Sequence, residues 1–250
     1  MIQRRSTSAP SASRRLRRGL VLAASCLAVT GLVASYTSVA SAQNLGAHQE
    51  HTQLSLGVRT SLVGADGYDP YAENDVLTQG SLGLSHTVFS HGDWSVAGAA
   101  GFDFGGSSST VRGADSELDM YRFSLAPELR FHVIPRLYLL GRLGPTLSRD
   151  RVKISDAATA TDLSSAGWTV GFDSALGVAF EALGKPSGSH RGARGWVQLE
   201  FGYGWSAPRE VTLEARGDDA ERAPQRVAAV EMPDLALRGP AVKLSVAMSF

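Results

Sequence analysis

The nine residues Val242–Phe250 constrain the fold more than any other part of the chain. Val242, Leu244, Val246, Met248 and Phe250 share one parity, and Lys243, Ser245, Ala247 and Ser249 share the other. Period-two alternation marks a strand with one apolar and one polar face. A last strand in an open sheet is an edge, normally guarded by charge or proline. In a barrel it closes onto the first strand and no edge remains. The rest of the chain decides between these outcomes.

The same alternation recurs in eight segments. They are Gln53–Val63, Val76–Val88, Trp94–Phe104, Met120–Val133, Leu137–Ser148, Gly167–Glu181, Trp196–Trp205 and Val242–Phe250. The apolar parity of all eight carries no Asp, Glu, Lys or Arg. The other parity carries Arg59, Arg122, Arg130, Arg142 and Lys243 against Asp103, Glu128, Asp173, Glu181 and Glu200. Balanced charge suggests an enclosed lumen, where charges need partners. Apolar residues outward and polar residues inward predict an all-β, closed antiparallel up-and-down transmembrane barrel of eight strands. A soluble barrel or sandwich with a solvated polar face is the alternative.

Connection lengths support the membrane arrangement. Phe89–Asp93 and Ile134–Arg136 are short turns, and Ala182–Gly195 is a longer third one. On the other rim, Gly64–Asp75, Gly105–Asp119, Arg149–Ala166 and Ser206–Gly239 read as long loops. Outward aromatics gather near the two rims: Trp94, Phe131, Phe180 and Phe250 at one, Phe102, Phe104, Tyr121, Phe123, Trp168, Tyr203 and Trp205 at the other. Within the last loop, Glu210–Arg216 and Arg226–Glu231 alternate around Gly217-Asp218-Asp219. A hairpin above the membrane is expected there, with a ten-stranded barrel as the alternative. Pro127 and Pro145 fall inside strands, where each removes a ladder donor, so bulges are expected.

Six arginines and no acid precede Leu20, an apolar run extends to Ala34, and Ala40-Ser41-Ala42 follows. This is the pattern of a secretory signal peptide over 1–42, leaving 43–250 as the barrel domain. Without 1–42 the chain has 18 basic and 24 acidic residues, net −6, which disfavours a nucleic-acid partner. The single cysteine, Cys26, leaves with that segment, so no disulfide or thiolate chemistry is expected.

With this alternation, the terminal Phe and the glycine-interrupted Tyr138-Leu-Leu-Gly-Arg-Leu-Gly144, the chain resembles small bacterial outer-membrane β-barrel proteins. The likeness is to the OmpA-like transmembrane domain and OmpW-like porin-family barrels, across 43–250. It implies a bacterial outer-membrane location, both termini in the periplasm, and outer-membrane lipids and the barrel assembly machinery as partners. It also implies that Val242, Leu244, Val246, Met248 and Phe250 form a C-terminal assembly signal. The OmpW-like side implies a narrow conduit for small or apolar solutes as an alternative function.

The residues themselves suggest no enzyme. His48, His51, His86, His91, His132 and His190 all lie outside the long loops, so a catalytic triad there lacks its base. Neither HExxH nor a glycine-rich phosphate loop occurs, and no cofactor or metal is expected. An envelope-lipid-modifying enzyme is the least favoured reading. An eight-stranded interior is just wide enough for its own side chains, so a filled lumen and a structural or surface-interaction role are expected. The turn Ile134–Arg136 predicts facing residues whose numbers sum to 270, setting Glu128 opposite Arg142 and His132 opposite Tyr138. Asp66, Asp69, Glu73 and Asp75 make the first loop acidic, a candidate surface for divalent cations or basic partners. Lys185, His190, Arg191 and Arg194 make the third turn basic, suited to anionic headgroups.

Overall fold

The computed structural model describes residues 52–72, 74–111, 114–156, 161–184, 193–215 and 230–250. The expected signal peptide, His48, His51, Glu73, Lys185, His190 and Arg191 lie outside the described residues. The alternating segments form β1 (Thr52–Leu62), β2 (Val76–His91), β3 (Trp94–Val111), β4 (Ala114–Ile134), β5 (Leu137–Asp156), β6 (Thr161–Leu183) and β7 (Arg194–Ser206). The short strands β8 (Arg209–Ala215) and β9 (Val230–Leu235) precede β10 (Gly239–Ser249).

Strands β1 to β7 pair antiparallel in sequence order, β7 pairs with β10, and β10 pairs with β1. The ring is closed and has eight strands. Its last seam is zipped at the end: Phe250 N donates to Thr52 O at 3.0 Å and Thr52 N donates to Phe250 O at 3.3 Å. Strands β8 and β9 stand outside the ring as a hairpin, attached to β6 by Leu163↔Ala215 and Ser164↔Glu214. The ten-stranded alternative is therefore excluded.

The tight turns define one rim, the turn rim. Between β2 and β3 the chain reverses at Gly92, whose φ of 57° is in the left-handed region that glycine adopts without strain. The opposite, loop rim is taller than expected. Gly105–Asp119 and Arg149–Ala166, expected as long loops, are mostly strand: β3 runs to Val111, β4 starts at Ala114, β5 runs to Asp156 and β6 starts at Thr161.

The physical reason is an inversion of polarity. On β5, outward Leu139, Leu143 and Leu147 are followed by outward Arg149, Arg151 and Lys153. Inward Arg142, Thr146, Ser148 and Asp150 are followed by inward Val152 and Ile154. On β4, outward Asp115, Glu117 and Asp119 lie above Tyr121, while Leu118 and Met120 turn inward and are buried. Charge on the formerly apolar parity looks like the end of a strand. It marks instead the level where the outer face of the strand turns from apolar to charged while the inner face turns apolar.

The bulges expected at Pro127 and Pro145 are absent. The β4–β5 register keeps the sum 270 on both sides of the prolines, at Ser124↔Thr146 and Glu128↔Arg142, and pairing merely pauses between them. Pairing of β4 with β3 runs unbroken through Gly98↔Pro127, and that of β5 with β6 through Pro145↔Phe172. Both prolines thus turn their donorless nitrogens to one shared seam. The strands stay close there, since a Cβ on Gly144 would lie 2.8 Å from Ala126 Cα. Register shifts occur instead at Thr87/Phe89, His132/Ile134 and Glu181/Leu183, all beside turns.

The lumen as candidate functional site

Inward side chains fill the barrel in three layers. At the turn rim, Tyr138 is fully buried and central. Gln198 Nε2 donates to its hydroxyl at 2.8 Å, and the Gln53 amide lies 3.2 Å away. The Trp196 ring packs 5.0 Å from the Tyr138 ring, and its Nε1 donates to Ser249 Oγ at 3.0 Å. The Arg130 guanidinium sits 5.4 Å over the same ring and donates to Ser85 Oγ at 2.6 Å. His132, opposite Tyr138 as the register predicts, packs 5.5 Å from it and meets Ser95 Oγ at 3.3 Å. Two large rings and two amides close this end.

The middle layer holds the charges. Arg59 Nη1 lies 3.0 Å from Asp173, Arg122 lies 3.3 Å from Asp173, and Arg122 also pairs closely with Asp103. A second run joins Glu200 to Arg142, Arg142 to Glu128 at 3.4 Å, and Glu128 to Arg130 at 2.6 Å. The register places Lys243 between Arg59 and Glu200, though among the described residues no carboxylate comes within ion-pair distance of its ammonium. Glu181 stands apart at the turn rim, 3.9 Å from Arg194. Eight of the ten expected lumen charges therefore form two linked runs, Lys243 stands beside them, and Glu181 pairs at the rim with Arg194, which was not among the ten.

These charges surround a cavity of ≈ 60 Å³ lined by Arg59, Asp103, Arg142, Asp173, Glu200 and Lys243. On the wall side it exists because Ala99, Gly101, Ala126, Gly144 and Ala175 are small. At about 15 Å³ of such volume per water it holds about four waters. That suits hydration of the charged layer.

The third layer was not foreseen from the sequence. At the loop rim, Leu118, Met120 and Val152 from the ring meet Val63, Tyr68 and Tyr71 from the β1–β2 connection and Val211, Leu213 and Leu235 from the hairpin, forming one buried apolar cluster. Arg209 at the foot of the hairpin pairs with buried Asp150 on β5, anchoring the cap to the wall. Tyr68 donates its hydroxyl to Val76 O at 3.1 Å, whereas the buried Tyr71 hydroxyl has no partner among the described residues. Burial pushes both phenols above the ordinary tyrosine value of 10.0. The signal available in the sequence was the inverted alternation around Leu118 and Met120, together with Val211 and Leu213.

Among the described residues no group of three or more His, Cys, Asp or Glu gathers to hold a metal; Glu73 of the acidic first loop lies outside them. Val242, Leu244, Val246, Met248 and Phe250 all lie on the exposed outer face of β10 and the residue after it.

No family model matches the chain, and no curated protein matches it. Solved structures do. The attachment invasion locus protein Ail of Yersinia pestis is 15% identical, with 80% of this chain and 96% of that chain covered at a TM-score of 0.41. Neisserial surface protein A is 11% identical, with 82% and 97% covered at 0.38. A major outer membrane protein from Thermus thermophilus is 10% identical, with 80% and 99% covered at 0.48.

Proposed function

We propose that this protein is an integral outer-membrane barrel with a sealed lumen, serving a structural or surface-interaction role rather than transport. The observation carrying this reading is that the lumen has two seals in series. Tyr138 and Trp196 close the turn rim, and the apolar cap with Tyr68, Tyr71 and the β8–β9 hairpin closes the loop rim. The membrane part is supported by the outer face. Leu56, Leu125, Val170 and Leu244 are 57%, 66%, 62% and 56% exposed and belong to a continuous apolar belt. Such a belt is costly in water and favourable in hydrocarbon. An even strand count puts both termini at the turn rim, which we assign to the periplasm.

Three measurements test this. The protein should migrate differently on electrophoresis when boiled and unboiled, and should fractionate with outer membranes. In planar bilayers it should show no single-channel steps. Replacing the β8–β9 hairpin by a short linker should leave the barrel closed, because the turn-rim seal remains. Adding Tyr138→Ala and Trp196→Ala to that replacement should admit small ions. Large, stable steps from the unmodified protein would overturn the sealed reading in favour of a conduit. Recovery as a soluble protein would overturn the membrane reading.

A further inference from the structure

The outer face of β5 carries two arginines that no carboxylate among the described residues satisfies. Cross-strand register places Phe104, Tyr121, Arg149 and Trp168 on one level. Arg149 is therefore set inside the loop-rim aromatic band, between Tyr121 and Trp168, with its guanidinium 5.7 Å over the Trp168 ring. One level higher, Arg151 stands between Asp119 on β4 and Ala166 on β6. Lys153, above that, is held by Asp162 at 3.3 Å. Arg149 and Arg151 are both exposed, and no described acid lies within ion-pair distance of either; Asp119, opposite Arg151, does not reach it. On the β6 side of the pair Ala166 and Trp168 stand opposite Arg151 and Arg149, and the first acid beyond is Glu214 of β8, paired with Ser164 one level above Arg151.

The loop-rim band repeats this arrangement once. Arg238 lies 5.6 Å over Trp205 and is also exposed. At the turn rim the outward Trp94 packs against Phe131, at 4.5 Å, with no cation among the described residues over it. Guanidiniums therefore cap the band's tryptophans on one rim only.

We infer that Arg149 and Arg151, with Trp168 and Tyr121 beneath them, form a binding site for the phosphorylated headgroup of an outer-leaflet lipid. The inference rests on the membrane reading above and deepens it. Depth selects a lipid: aromatic bands sit at the headgroup level, so a guanidinium within the band faces lipid phosphate. Charge selects phosphate: two arginines whose Cα atoms lie about 6.8 Å apart along one strand can send both guanidiniums to one phosphate or to two on one headgroup. The ring below fixes Arg149 by cation–π contact, so little side-chain freedom is lost on binding. Asp119 and Glu117 repel an anion from the β4 side, and Glu214 beside Ser164 repels it from above, which directs it to the level of Ala166 and Trp168 on β6.

The test uses the whole barrel folded in maltoside micelles, with lipid binding read by native mass spectrometry. The probes are diphosphorylated lipid A, the same lipid stripped of phosphates, and inorganic phosphate. The diphosphorylated lipid should bind about tenfold or more tightly than the stripped one. Arg149→Gln with Arg151→Gln should remove most of that difference, and Arg238→Gln should leave most of it. Inorganic phosphate at equal concentration should not compete. Equal binding of both lipids, or an undiminished preference in the double variant, would overturn the proposal. Full competition by inorganic phosphate would overturn the lipid assignment. The double variant should still show the boiled–unboiled shift. Loss of that shift in the unmodified protein is the separate failure of the membrane reading.

Discussion

Glu128 is bound more closely by Arg130, two residues along its own strand at 2.6 Å, than by Arg142 across the β4–β5 ladder at 3.4 Å. Arg142 in turn sits closer to Glu200 on β7. Loss of Arg142 therefore leaves Glu128 paired and Glu200 exposed to its own desolvation. Glu200 already has one carboxylate oxygen without a hydrogen-bond partner. Breaking a buried pair on one side commonly costs about 3–5 kcal/mol. Arg142→Ala should fall in that range by urea unfolding in lipid vesicles. Adding Glu200→Gln should recover more of the loss than adding Glu128→Gln. The reverse order would show that the β4–β5 contact dominates.

The proline seam gives a second test. Pro127 and Pro145 both withhold donors from the β4–β5 ladder, and in hydrocarbon an unsatisfied carbonyl has no water to turn to. Pro127→Ala restores an N–H opposite Leu143. The regained bond should outweigh the added chain entropy and stabilise the barrel by about 1 kcal/mol. Slow exchange of the new amide would accompany it. A lower unfolding midpoint in urea would contradict this account of the seam.

Tyr68 and Tyr71 predict how the cap responds to pH. Both phenols are raised by burial, so the folded cap keeps protons that the opened cap releases. Their stabilising effect is complete below pH 10 and is lost as pH climbs through the raised values. Absorbance at 295 nm should show two tyrosines titrating late, one removed by each of Tyr68→Phe and Tyr71→Phe. Near neutrality the two variants should differ. Tyr68→Phe deletes the bond to Val76 O and should cost about 1 kcal/mol, whereas Tyr71→Phe deletes an unpartnered hydroxyl and should be neutral or stabilising. Equal costs would refute that distinction.

Phe250 joins the first and last strands, exchanging both backbone bonds with Thr52 while its ring lies on the outer face at 56% exposure. Phe250→Asp should keep these backbone bonds available but put a charge on the lipid side of the closing seam. Membrane-inserted protein should fall severalfold in cells, and refolding into vesicles should slow. Phe250→Trp should retain both. Normal membrane levels of the Asp variant would argue against any role in assembly.

The eight strands of the ring, their inward parity and the β4–β5 register were legible in the chain. Each follows from a local rule: side chains alternate with period two, and a tight turn fixes which residues face each other. Glu128 opposite Arg142 and His132 opposite Tyr138 needed nothing more. Contacts across the lumen did. Arg142 meets Glu200 over the width of β6, and Arg59 on β1 meets Asp173 on β6. Such pairs depend on the stagger of the whole ring, which no single hairpin encodes. The cap is of the same kind. Leu118, Met120 and Val152 were written where the outer parity becomes charged, so locally they resembled the start of a loop. Only closure of the barrel brings them under Tyr68, Tyr71 and Leu213, and burial of that shared apolar surface is what holds the hairpin over the mouth.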